Sequence, residues 1–211
     1  MSTSTETMQV RGFAGRYLGG LSASVGHGAA TMLRRRRVIL AAVITLLPVL
    51  IPLAMAFLSA SEFQDDGNMV FVKLMEHICI NGLGPLLALF FASMLIGEEV
   101  ESQTFPYVLT RPLPRSAWIL GRFIAYLLTA GTILLISMLL TFAAATSLAG
   151  LAFVPTDLVL LAQYGAIGVA GLLAYGAVAA FLGAVTRRPI VIGALLFFGW
   201  QKLAVQVPGL V

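Results

Sequence analysis

Five stretches of this chain stay apolar for about the length of a bilayer, at residues 38–58, 78–96, 123–148, 158–185 and 190–207. A hydrocarbon core of ~30 Å takes roughly 20 apolar residues per helix, and it forces every backbone polar group to find a partner within its own segment. The runs are continuous rather than alternating, which argues against a membrane barrel. The expectation is an all-α integral membrane protein, a polytopic helical bundle of five predicted spans. Composition closes the soluble alternative. The chain is 59% hydrophobic and 10% charged, whereas a soluble domain of this size carries about 25% charged residues. Residues 1–37 read as a cytoplasmic lead ending in a basic block, and residues 38–211 as one transmembrane domain. The lead is polar and Gly-rich with no apolar core of the signal-peptide kind, so the first span itself is expected to drive insertion. The lone Cys79 excludes an internal disulfide framework.

Orientation follows from the basic residues. With the N-terminus in the cytoplasm, Arg11, Arg16, Arg34, Arg35, Arg36, Arg37, Arg111, Arg115, Arg122, Arg187 and Arg188 all lie inside, leaving Lys73 and Lys202 toward the far face. The opposite orientation reverses this bias. The block Arg34, Arg35, Arg36 and Arg37 abuts the first apolar run, so it reads as a topology signal facing lipid headgroups rather than as a nucleic-acid patch. No nucleic-acid partner is expected. Arg187 and Arg188 form a second such turn.

Several local features qualify the spans. Val10, Phe13, Ala14, Tyr17, Leu18 and Leu21 fall on one helical face, which predicts either a short amphipathic helix on the bilayer surface or an unstructured arm. The glycines at 12, 15, 19 and 20 weaken the helix. Pro48 and Pro52 lie inside span one and predict a kink. Glu62, Asp65, Asp66 and Gly67 form an acidic outer turn. Small residues make two stripes on span four, Ala162, Ala166, Ala170 and Ala174, then Gly176, Ala180 and Ala184, suited to close helix packing or a dimer seam. After Trp200 the chain either continues as helix with Lys202 snorkelling or re-enters shallowly.

The densest mixture of both charges outside the N-terminus is residues 96–122, IGEEVESQTFPYVLTRPLPRSAWILGR. Glu98, Glu99 and Glu101 open it, and Arg111, Arg115 and Arg122 close it. Each charge costs about 2.5–3.5 kcal/mol in hydrocarbon on insertion scales, so the segment stands in water at the cytoplasmic surface. Residues 104–109 suit a short helix with Pro106 in its first turn. The Arg-Pro-Leu-Pro-Arg run at 111–115 breaks that helix, and Ser116 suits a cap for span three. Taken singly, these residues are an ordinary helix end and topology anchors. As an ordered set they suit a docking element.

This run resembles the first cytoplasmic loop of permease subunits of type-2 ABC exporters. Glu98, Glu99 and Glu101 match the acidic part of the pattern and Thr104 matches its Thr. Arg111, Pro112 and Arg115 match the turn, and Gly121 with Arg122 matches the opening of the third span. Gln103 departs from the usual Gly. The resemblance implies a coupling helix in the loop 97–122, between spans two and three, that touches a separate ABC ATP-binding subunit. It also implies a permease homodimer or heterodimer, switched between inner- and outer-facing forms by ATP, and a place in the cell inner (plasma) membrane. The family has six spans with the C-terminus inside, and this sequence stops where a sixth would follow. A truncated product, a five-span variant or a permease needing a companion would each fit.

The chain has no G-x-x-x-x-G-K-[ST], so ATP and magnesium are expected in the partner subunit and no cofactor on this chain. Rival classes are weaker. Glu98-Glu99 resembles the E-E-x-x-x-R of membrane-embedded prenyl-protein proteases, but position 103 is Gln and only His27 and His77 exist. No G-x-S-x-G or H-E-x-x-H is present. Glu76, His77 and Cys79 have the wrong spacing for a metal corner on one helical face. No catalytic or metal-binding residue is therefore expected. An ATP-independent channel or carrier would place ionisable groups at mid-membrane, and the interiors of spans one to four as bounded above have none. The main polar groups of span three are hydroxyls, Thr129, Thr132, Ser137 and Thr141, of the kind that bond their own helix.

Overall fold

The computed structural model describes residues 3–33, 35–58, 67–93, 95, 115–148, 155–186 and 188–206. Among these residues there is no strand. We number the helices α1 (Thr3–Met32), α2 (Arg35–Leu58), α3 (residues 67–92), α4 (Arg115–Leu148), α5 (Pro155–Val185) and α6 (Pro189–Gln206). The charged loop apart from its C-terminal end, the acidic turn at 62–66 and the chain beyond 206 lie outside the described residues.

A helix occupies each predicted span. Phe71–Ala92, Ser116–Ala145 and Leu158–Val185 are long and apolar enough to cross a membrane, whereas the apolar parts of α2 and α6, Ile39–Ala54 and Pro189–Gly199, are shorter. Large apolar side chains on the outer faces of these helices are exposed, among them Leu47, Leu50, Leu135, Leu139, Ile167 and Leu195. A water-soluble chain does not carry an apolar surface that extensive, and lipid is its natural solvent.

Two boundaries differ from the sequence reading. Span two begins at Phe71 rather than near residue 78, so Lys73, Glu76 and His77, all exposed, ride on its first turns. Span three begins at Ser116 rather than residue 123. Residues 116–122 are therefore helix, and the loop itself is shorter than 97–122. In both cases a few charged residues deflect a hydropathy reading, although the helix continues through them because its other face is packed.

The core is built on α4. Phe71, Met75, Cys79, Leu87, Tyr126, Leu134, Met138 and Leu172 are all buried at its centre. Phe71 lies edge-on to Phe142 at 5.1 Å and to Tyr164 at 6.2 Å, joining α3, α4 and α5 at one end of the bundle. Tyr175 meets Phe197 at 5.0 Å, joining α5 to α6. The buried Tyr126 hydroxyl donates to the Leu172 carbonyl at 2.9 Å, a polar tie between α4 and α5.

The prolines shape two helices. α3 widens over Met75–Leu83, where the Gly84 N–H reaches back five residues to the Cys79 carbonyl, and widens again over Ala88–Ala92. Pro85 has no N–H to give and its ring crowds the preceding turn, so a wider turn is the low-energy way through. α2 runs through Pro48 and Pro52, both buried. Three residues before Pro48, Ser137 of α4 donates its hydroxyl to the Thr45 carbonyl at 2.9 Å. A neighbouring hydroxyl thus supports the backbone where a proline disturbs the ladder. Thr132 and Thr141 bond their own helix, to the carbonyls of Leu128 and Ser137.

The lead forms a long helix packed on α4, which differs from a short helix lying on the bilayer surface. Gly20, Ser24, Gly28 and Met32, spaced by four, are buried, whereas Leu18 of the expected apolar face is 64% exposed. The contacts advance together along both helices. Ser24 Oγ donates to the Trp118 carbonyl at 2.8 Å, and a Cβ on Gly28 would stand 2.9 Å from that of Ala125. α1 thus runs parallel to α4, and α2 meets a later turn of α4 at Ser137. Glycines weaken an isolated helix, but here they let two backbones approach closely, and that packing outweighs the propensity loss.

Of the two uses expected for the stripes on α5, packing within the chain falls mainly to other residues. Ala162, Ala166, Ala170 and Ala174 all face outward, Ala180 is half-buried and Ala184 is exposed. The packed face is Gly165, Gly168, Leu172, Gly176, Ala179 and Gly183. Gly176 sits against the Tyr126 ring and Gly183 against the Ser93 backbone, positions with no room for a side chain.

Candidate coupling-loop base

Both ends of the 96–114 segment can be placed, because α3 leads into it and α4 leads out. The two ends are tied together. Arg122, seven residues into α4, is 8% exposed, and its Nη1 donates to the Leu95 carbonyl at 2.8 Å. The Arg122 guanidinium carbon also stands 5.0 Å from the centroid of the Trp118 ring, one helical turn before it. Guanidinium suits this place. It is always charged, stacks on an indole face and presents donors in a fixed fork to a carbonyl left over at a helix end.

Three neighbours close around this tie. Ser93 is buried, with its hydroxyl donating to the Leu89 carbonyl. Gly183, near the end of α5, lies against the Ser93 backbone. From the other side α1 abuts Gly121, where a Cβ would come within 2.6 Å of Ser24 Cβ and 2.9 Å of the Leu21 carbonyl oxygen. The ends of α3 and α5, the start of α4 and the C-terminal half of α1 therefore meet at one end of the bundle. A force on the 96–114 segment would reach four helices through this node.

Of the residues predicted for partner coupling, Glu98, Glu99, Glu101, Thr104, Arg111 and Pro112 lie outside the described residues, and Arg115 is placed only as the first residue of α4. Arg122 is described in full, and it packs inside the chain. Of the basic residues assigned to topology, Arg35, Arg36 and Arg37 open α2, Arg188 is exposed between α5 and α6, and Arg34 and Arg187 lie outside the described residues. Glu76 and His77 are exposed while Cys79 is buried, so those three do not converge.

Sequence reasoning missed Ser24, Leu95, Trp118 and Gly183. The four-residue spacing of Gly20, Ser24 and Gly28 against Ala117, Gly121 and Ala125 was a usable signal for the α1–α4 seam. The Leu95 carbonyl carries none, because a backbone acceptor looks the same in every sequence.

Comparison with known proteins adds one match. A family model described as ABC-2 family transporter protein covers residues 32–199, which include every helix described here except α1 and the end of α6. No curated protein and no solved structure matches the chain. A bundle that is all helix among the described residues, with an apolar outer surface, agrees with that match: the chain belongs to the ABC-2 family of transporter membrane proteins, as a permease of the type-2 ABC class.

Proposed function

We propose that this permease is the membrane half of an ATP-driven exporter, moving its cargo with energy received from a separate ATP-binding subunit through residues 96–114. The observation that carries this reading is the Arg122–Leu95 tie. It holds the two ends of the loop side by side, so a displacement of the loop moves α3 and α4 as a pair and does not dissipate in a slack connection. Glu98, Glu99, Glu101, Thr104, Arg111, Pro112 and Arg115 are the residues we assign to the contact with the ATP-binding subunit. Arg122 is assigned a positioning role behind them. ATP-driven closure of two such subunits, each pushing one permease of a homo- or heterodimer in the plasma membrane, would rock the bundles between inward- and outward-facing forms.

The test is a cysteine scan of positions 104–109 in a Cys79→Ala background, with cross-linking to the ATP-binding subunit in native membranes. A coupling helix predicts adducts recurring every three to four positions. A complex that hydrolyses ATP and transports, yet forms no adduct at any of the six positions, would overturn the assignment.

A further inference from the structure

Two contacts fix the depth of α3 in the bundle. Phe71 packs on Phe142 and Tyr164 at one end, and the Leu95 carbonyl takes the Arg122 hydrogen bond at the other. From Arg122 to Phe142, α4 rises about 30 Å at 1.5 Å per residue, the depth of a hydrocarbon core. Within that interval α4 and α5 turn apolar side chains outward, among them Leu135, Ile136, Leu139, Ile167 and Leu173. Thr132 is exposed there too, with its hydroxyl on the Leu128 carbonyl of its own helix. These faces suit lipid.

The outward face of α3 is different. Lys73, Glu76, His77 and Asn81 are all exposed, at spacings of three and four that keep them on one side of the helix. Leu74, Met75, Cys79 and Leu83, which alternate with them, are buried. Asn81 lies about 15 Å along α3 from Phe71 at 1.5 Å per residue, half the depth of the core. Lys73, near the edge, can snorkel to the interface, whereas Glu76, His77 and Asn81 have side chains too short to climb out from their depth. Beyond Asn81 the next exposed residue is Leu86. The polar track therefore starts at the end of the bundle remote from the Arg122–Leu95 tie and stops at mid-depth. The widened turns of Met75–Leu83 fall on the same stretch, and such turns are frequent at functional sites.

We infer that this face of α3 borders water rather than lipid, as the wall of a vestibule open at the end of the bundle opposite the 96–114 segment, and that it receives the polar part of the cargo. Ionisable groups below a membrane surface persist where they line a water-filled cavity. At this depth the exposed faces of α4 and α5 offer a hydrogen-bonding solute nothing, and the α3 track offers it a cation, a carboxylate, an imidazole and an amide in turn. Both signs of charge on one track suit a neutral or zwitterionic polar group. The cargo role rests on the transport reading above, and the water-lined face does not.

The test uses the full-length chain extracted with its native lipids and partners in polymer nanodiscs, which leave both membrane faces open to a reagent. Lys73→Cys, His77→Cys and Asn81→Cys are made singly in a Cys79→Ala background, with Leu135→Cys and Leu139→Cys as lipid-facing controls. A charged methanethiosulfonate is added and the adducts are located by mass spectrometry. The reacting species is the thiolate, which apolar surroundings suppress, so the three α3 positions should label roughly tenfold faster than the controls, or more. Hydroxyl-radical footprinting of the unmutated chain guards against a misfolded variant: His77 should be oxidised, and Leu135 and Leu139 should not. Labelling at His77→Cys and Asn81→Cys no faster than at the controls, with His77 protected in the unmutated chain, would overturn the inference. So would an unlabelled Asn81→Cys that closes a disulfide between two copies, because a second chain would then seal the face. Neither result touches the ATP-binding partner, since the labelling needs no such subunit. A complex that proves to lack that subunit would remove the cargo role and leave the water-lined face standing.

Discussion

Arg122 closes the charged segment in the sequence, where it reads as a surface residue. In the structure it is buried, with Nη1 on the Leu95 carbonyl at 2.8 Å. Removing one partner of a buried charge-assisted hydrogen bond costs about 1.5–3 kcal/mol. Arg122→Met should lower the thermal midpoint of the purified chain by several degrees, at roughly 2–4 °C per kcal/mol for this size, and Arg122→Lys should lower it less. The glycines give a sharper contrast, because the sign of Gly→Ala depends on what the new methyl meets. At Gly183 it meets the Ser93 backbone, which has no room to give, and the variant should be destabilised. At Gly168 it meets the ends of Leu134 and Met138, which can turn aside, so the effect should be small. At Gly19 it meets nothing, and the helix-propensity gain of about 1 kcal/mol should appear as added stability. Midpoints ordered Gly183→Ala, Gly168→Ala, Gly19→Ala from lowest to highest would bear this out, and any other order would count against the packing described.

Among the elements, α1 differs most from its sequence expectation, and the reason is physical. A hydrophobic face of Tyr17, Leu18 and Leu21 advertises itself by periodicity, whereas the seam that forms uses Gly20, Ser24 and Gly28, residues that hydropathy scores as weak. Close approach without bulky side chains leaves little trace on a hydrophobicity scale, although its four-residue spacing is visible in the sequence. The same holds for α5, where the alanine stripe faces outward and the glycines at 165, 168, 176 and 183 pack. The five apolar runs, by contrast, were legible as helices because the bilayer allows only helices and closed barrels, and continuous runs do not suit a barrel. The seam predicts that Gly121→Val, which drives a branched side chain into Ser24 and the Leu21 carbonyl, releases α1 from α4. Limited proteolysis should then cut within residues 15–32 of the variant at concentrations of protease that leave the parent chain intact there. Equal resistance would mean that α1 is held by something other than this seam.

At the scale of the whole molecule, the bundle has one end where α1, α3, α4 and α5 converge, and the charged 96–114 segment leaves from that end. Charge reversal on the loop should therefore act on coupling rather than on folding. The variant carrying Glu98→Lys and Glu99→Lys should keep the parent's thermal midpoint, because carboxylates at a membrane surface are expected to stand in water, while ATP hydrolysis by the complex loses its link to transport. The family was legible in the acidic, Thr, Arg-Pro and Gly-Arg signature of that loop, and the match over residues 32–199 agrees with it. The tie behind the loop was not legible, since it joins an arginine to a backbone carbonyl 27 residues away. The measurement that bears most directly on the central claim is co-purification. The tagged chain is extracted gently from its native membrane and its partners identified, in parallel with the Glu98→Lys, Glu99→Lys variant. The account predicts a stoichiometric ATP-binding subunit with the parent chain and its loss from the charge-reversed variant. A parent preparation that transports its cargo with no ATP-binding subunit present would contradict it.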